Sequence, residues 1–142
     1  MSRLDYKEKE ETVSEKRFRT AEASVANEYG VHARPSALFC LRASRHPGKV
    51  YFKCLYNPEY SERASDKEYD CKNMMEMMSM EAVCGTRLKV HVEIGQDNDS
   101  EARKKKEADA RTTCRDLAEM ISSDLDHIVT EIEKERAILR DQ

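Results

Sequence analysis

Gly30-Val31-His32-Ala33-Arg34-Pro35-Ser36-Ala37, running into the apolar Leu38-Phe39-Cys40-Leu41, is the stretch from which the rest of the chain can be read. Proline lacks an N–H and fixes its own φ, so within a helix it is tolerated only in the first turn. Pro35 therefore sets a helix start near Ala33, with His32 as the flanking residue. The first turn of a helix carries backbone N–H groups with no intrahelical partner and is the positive end of the macrodipole. A phosphoryl group there meets the N–H groups of Ala33 and Arg34 in a favourable field. The Arg34 side chain adds a cation able to hold phosphate oxygens in pairs. The stretch thus joins an imidazole nucleophile, an anion nest and an arginine clamp, the parts of a histidine that accepts and gives up a phosphoryl group.

The chain has 142 residues, enough for one domain with a buried core. Its net charge of −3 is too mild to imply nucleic acid or an anionic membrane as partner. The five cysteines (Cys40, Cys54, Cys71, Cys84 and Cys114) are scattered and form no Cys-x-x-Cys pair, so the expectation is reduced thiols and no zinc site. The start has no apolar signal core and no run reaches membrane-spanning length, which reads as a cytoplasmic protein without membrane insertion. No cofactor or metal is expected.

Residues 1–17 are nearly all polar and read as an exposed helix or a disordered arm. Thr20 to Asn27 alternates Ala21, Ala23 and Val25 with polar residues and reads as a strand. The helix from Ala33 is stopped by His46-Pro47-Gly48. Val50 to Tyr56 is a second strand, with Val50, Phe52 and Cys54 on one face. Residues 57–67 form a loop rich in turn formers and charge, and Glu68 to Cys71 is a short returning strand at an edge. Lys72 to Met80 is a methionine-rich helix in which Met74, Met77 and Met80 suit the core. Arg87 to Ile94 points Leu88, Val90, Val92 and Ile94 one way and Arg87, Lys89, His91 and Glu93 the other, so His91 reads as a solvent-face residue. A long helix follows, with the stripe Ala110, Cys114, Leu117, Ile121, Leu125, Ile128 and Ile132. Ser122-Ser123-Asp124 could break it.

Two segments carry a resemblance to a known family. Gly30 to Ala37 resembles the active-site signature of HPr, the histidine phosphocarrier of the bacterial phosphoenolpyruvate-dependent sugar phosphotransferase system. Cys71 to Met80, followed by Gly85-Thr86, resembles its second helix and the turn after it. The resemblance spans about Ala21 to Asp126. It implies an α+β open-faced sandwich, a four-stranded antiparallel sheet covered on one face by three helices. The order strand, helix, strand, strand, helix, strand, helix read from the residues agrees with it. To that core this chain adds an N-terminal extension (1–17), an enlarged hairpin loop (57–67) and a C-terminal helical extension (127–142) beyond a phosphocarrier domain at 18–126.

By this resemblance His32 is phosphorylated on Nδ1, Arg34 stabilises the phosphate, the donor is enzyme I and the acceptor a sugar-specific enzyme IIA. The protein is then a stoichiometric carrier rather than an enzyme. Phe39, Cys40 and Ala43 match positions facing the sheet. Ala37, Leu38, Leu41, Met75 and Met78 are the expected partner surface, although Leu38 and Leu41 fall where the family more often has polar residues and could equally be covered by an added segment. In many family members a serine phosphorylated by a regulatory kinase follows the lysine that opens the second helix; here Lys72 is followed by Asn73, which has no hydroxyl but caps a helix well. The alternative is a regulatory binder that contacts a kinase or transcription regulator without sugar transport. The C-terminal stripe implies an ordered helix, packed within the chain in preference to pairing with a second copy.

Overall fold

The computed structural model describes residues 6–60 and 66–140. In chain order its elements are β1 (Lys9–Val13), β2 (Lys16–Ser24), α1 (Ala33–Ser44), β3 (Val50–Tyr56), β4 (Tyr69–Asp70), α2 (Met74–Ser79), β5 (Arg87–Glu93), α3 (Ser100–Ile121) and α4 (Leu125–Arg140). The strands form one antiparallel sheet in the order β1-β2-β5-β3-β4. The alternation read from sequence sets the register: Ala21 and Ala23 of β2, Phe52 and Cys54 of β3 and Leu88 and Val90 of β5 all point to one buried face. Ala110, Cys114, Leu117 and Ile121 of α3 close over that face, and Phe39 of α1 meets Phe52 edge-on at 5.5 Å. The small side chains of β2 leave room for α3 to lie close. This is the expected α+β open-faced sandwich.

Several expectations are corrected. The sheet has five strands rather than four, because part of the N-terminal extension is neither helix nor disordered arm. It forms β1, joined to β2 by a two-residue turn in which Ser14 and Glu15 both have positive φ, 48° and 65°. An edge strand held by backbone hydrogen bonds needs no apolar alternation, so nothing in Lys9-Glu10-Glu11-Thr12 signalled it. The segment before β1 is tied down as well: Glu22 N–H donates to the Tyr6 carbonyl at 2.6 Å, and Arg115 grips both carboxylate oxygens of Glu8 at 3.1 and 3.0 Å. The expected domain limits after residues 17 and 126 fall inside β2 and α4.

His91 is not a solvent-face residue but is buried, as is Tyr51 beside it. On the sheet face away from the helices Phe18, Tyr51 and His91 form a second small cluster, Phe18 meeting Tyr51 edge-on at 5.5 Å. The Lys49 ammonium lies 4.9 Å from the Tyr51 ring, and Lys89 pairs with Glu11 of β1 at 2.6 Å. Alternation told the faces apart correctly; the error lay in taking the second face as fully solvated.

Met77 and Met80 are buried as expected, but Met74 is partly exposed. The break at Ser122-Ser123-Asp124 is real and separates α3 from α4. The Ser122 and Ser123 hydroxyls donate back to Glu119 and Ala118 carbonyls, and Asp124 accepts from the His127 N–H. Leu117, Ile121 and Leu125 of the stripe are buried, while residues 133–140, which follow it, are helical and exposed, Ile138 and Leu139 included. The side chains of Ile128 and Ile132, and residues 61–65 of the enlarged loop, lie outside the described residues.

Candidate functional site

His32 is the N-cap residue of α1, extended at φ −96°, with its carbonyl accepting the first helical hydrogen bond from Ser36 N–H at 2.9 Å. Its side chain does not cap the helix. The backbone N–H groups of the first turn, at Ala33 and Arg34, therefore keep their capacity for an anion. The approach to His32 is fixed by Gly30, whose φ of +72° suits glycine and where a Cβ would overlap the carbonyl oxygen of Ala82. Val31 N–H donates to that same carbonyl at 2.8 Å and Gly30 N–H to Asn27 O at 2.9 Å. These bonds hold the turn between β2 and α1 against the segment that leads into β5.

The histidine has a partner that the sequence reading missed. Nε2 of His32 lies 3.0 Å from each carboxylate oxygen of Asp126, in the first turn of α4. Asn27 completes the group. It is buried, and its amide donates to Gly30 O and Asp126 Oδ2, both at 2.8 Å, while its Oδ1 accepts from Asp126 N–H at 3.0 Å. Burial alone would raise the Asp126 carboxyl, but the hydrogen bonds from His32 and Asn27 outweigh it and hold the group below the usual carboxylate range. Among the described residues Nδ1 of His32 has no hydrogen-bond partner, and Arg34, exposed one residue into α1, has none either.

The remaining predicted residues surround this centre unevenly. Met75 and Leu41 are well exposed, Met78 about half as much, whereas Ala37 is half-buried and Leu38 packs partly against the core. Leu38 is thus partly covered, and Leu41 is not. A groove of about 340 Å³ runs from His32 past Tyr29 and Met78 to Glu59 and Tyr60. Tyr60 belongs to the enlarged loop, whose start is braced by Asn57: its Oδ1 accepts from the N–H groups of Glu59 and Tyr60, at 3.0 and 3.3 Å. Asn73 caps α2, accepting from Glu76 N–H at 3.2 Å.

The family described as "PTS HPr component phosphorylation site" matches residues 19–121. The chain belongs to the HPr family. That family consists of phosphocarrier proteins of the sugar phosphotransferase system, not catalysts in the turnover sense. Among solved structures, a phosphocarrier protein HPr from Bacillus anthracis is 20% identical, with a TM-score of 0.53 over 73% of this chain and 96% of that one. It supports the fold. An HPr from Thermoanaerobacter tengcongensis (24% identical, TM-score 0.47, covering 72% of this chain and 93% of its own) and a histidine-containing phosphocarrier protein from Mycoplasma (20%, 0.46, 73% and 99%) also align. No curated protein sequence matches significantly. Among the described residues no helix is long and apolar enough to cross a membrane. The HPr match ends at residue 121, so Asp126 lies outside it.

Proposed function

We propose that this HPr-family chain accepts a phosphoryl group on Nδ1 of His32 from phosphorylated enzyme I and passes it to a sugar-specific enzyme IIA. The observation that carries the reading is the setting of His32 at the open N-terminus of α1: among the described residues its Nδ1 has no hydrogen-bond partner, and the exposed Arg34 follows two residues on. The Nδ1 lone pair attacks phosphorus, the bond between phosphorus and the donor breaks, and its electron pair returns to the donor. The first-turn N–H groups and Arg34 meet the phosphoryl oxygens as they arrive. Passing the group on reverses these steps. Met78 shares a groove with His32, and with the exposed Met75 and Leu41 it would form the apolar docking surface; flexible thioethers suit a surface that fits more than one partner.

The test is phosphorylation with phosphoenolpyruvate and enzyme I, followed by intact mass measurement before any acid treatment. The wild type should gain one phosphoryl group and His32→Ala none. Equal gain on both, or phosphate that survives acid, would overturn the reading, since phosphohistidine is acid-labile.

A further inference from the structure

We propose that Asp126 is a positioning residue for His32: it accepts the Nε2–H of the ring, so the lone pair available to phosphorus is the one on Nδ1. The proposal rests on the phosphocarrier reading above and brings the C-terminal helix α4 into the site.

A neutral imidazole carries its single proton on one nitrogen or the other, and the partner of one nitrogen decides which. An ionised carboxylate has only acceptor oxygens. With both oxygens of Asp126 at 3.0 Å from Nε2, that nitrogen must be the donor. In the neutral ring Nδ1 is then the nitrogen that keeps its lone pair.

The contact differs from a chance surface pair in how its acid is held. Asn27 binds Asp126 through both its backbone N–H and a carboxylate oxygen, and binds the Gly30 carbonyl with the same amide. One buried side chain thus joins the carboxylate to the turn that sets His32. Two further bonds fix the junction of α3 and α4: Ala26 N–H to Ile121 O at 3.0 Å, and Tyr6 Oη with Ser122 Oγ at 3.1 Å. The carboxylate therefore reaches the ring as part of a rigid frame.

The carboxylate also fits the charge the reaction creates. When Nδ1 forms its bond to phosphorus, the proton stays on Nε2 and the ring becomes cationic, against an anion already in place. When the phosphoryl group leaves, the N–P electron pair returns to Nδ1 and the ring is neutral again, with Nε2–H still bonded to Asp126. No proton crosses to solvent in either direction. Arg34 acts on the phosphoryl oxygens and Asp126 on Nε2 of the ring; the Arg34 charge also helps hold Asp126 ionised, so the tautomer readout, which Arg34 does not set, is what isolates the role of Asp126.

The test uses the full-length chain and two variants, Asp126→Ala and Asp126→Asn, the second keeping a side chain that Asn27 can bind. Long-range ¹⁵N–¹H correlation of the unphosphorylated protein reports the His32 tautomer and needs no phosphoryl donor. The wild type should show the Nε2–H form alone, Asp126→Ala a mixture with Nδ1–H, and Asp126→Asn an intermediate state. Single-turnover phosphorylation should slow about tenfold in Asp126→Ala, the lower end of what is lost when a carboxylate that orients a metal-binding imidazole is removed, and less in Asp126→Asn, with the donor concentration for half-maximal rate unchanged. An unaltered tautomer, or an unaltered rate with a shifted tautomer, in folded variants overturns the proposal. A wild type that shows the Nε2–H form but is never phosphorylated sinks the phosphocarrier reading instead.

Discussion

The ring of His91 stacks on that of Tyr51, centroids 4.4 Å apart and planes within 11°, on the side of the sheet away from the helices. Burial, reinforced by Lys89, pushes the His91 imidazole down to about 4. The imidazole is therefore neutral in the folded protein at pH 6, while an unfolded chain would bind a proton there. Between about 6.5 and 4 the unfolded state holds more protons, so stability falls as pH drops through that window, by about 3 kcal/mol at most if His91 acts alone. Below pH 4 the contribution is flat. His91→Phe keeps an aromatic on Tyr51 and cannot titrate. Thermal melting at pH 7 and pH 4.5 should show a smaller acid loss in that variant than in the wild type, and an equal loss would place the acid sensitivity elsewhere.

The turn between β1 and β2 offers a stabilising change. Ser14 and Glu15 both sit in the left-handed region, where L side chains are disfavoured and Asn-Gly is the favoured pair. Glu15→Gly should raise stability by about 0.5–1 kcal/mol. Urea denaturation should show a higher midpoint with an unchanged slope. A lower midpoint would mean that the turn is not strained.

Gly30 should behave in the opposite sense. At φ +72°, with the Ala82 carbonyl against the place where a Cβ would go, Gly30→Ala should cost about 2 kcal/mol or more. Because Gly30 also accepts the Asn27 amide, the substitution should disturb the His32 ring resonances in NMR spectra. A variant as stable as the wild type would show that the turn can relax.

Arg34 and Met75 should fail in different ways. If Arg34 meets the phosphoryl oxygens as proposed, Arg34→Ala should slow single-turnover transfer while leaving enzyme I binding largely intact. Met75→Asp, at the most exposed methionine of α2, should weaken binding if the proposed docking surface includes it, because it would put a charge into that apolar contact. Titration calorimetry alongside rapid-quench transfer separates the two. Normal binding by Met75→Asp would move the docking surface to the neighbourhood of Leu41.

What the sequence showed and hid follows from how local each feature is. Gly30, His32, Arg34 and Pro35 lie within one turn, so their geometry follows from backbone rules that a short stretch obeys. The apolar alternations of β2, β3 and β5 fixed which face meets α3. Asp126 is separated from His32 by 94 residues and looks like one more acid after a helix break; only the placement of α4 turns it into a partner. The acid in the first turn of a helix opening just after Ser122-Ser123-Asp124 was the available signal, and it spoke of a cap rather than a site. Asn27 was read as the end of a strand because its side chain, not its backbone, carries its role. Burial of His91 depends on Phe18, Tyr51 and the residues of β1, which no alternation rule along β5 can report.

The strand β1 has an effect beyond the packing it provides. An uncovered strand edge is a template on which another chain can pair, and long strands are the worst offenders. Without β1 that edge would be β2, nine residues long. With it, the outer edge is Lys9-Glu10-Glu11-Thr12-Val13, short and charged, and the opposite edge is the two-residue β4. Neither is a good seed for sheet extension. The extension thus occupies the one long strand edge of the described sheet, β2, and leaves a short, charged one in its place.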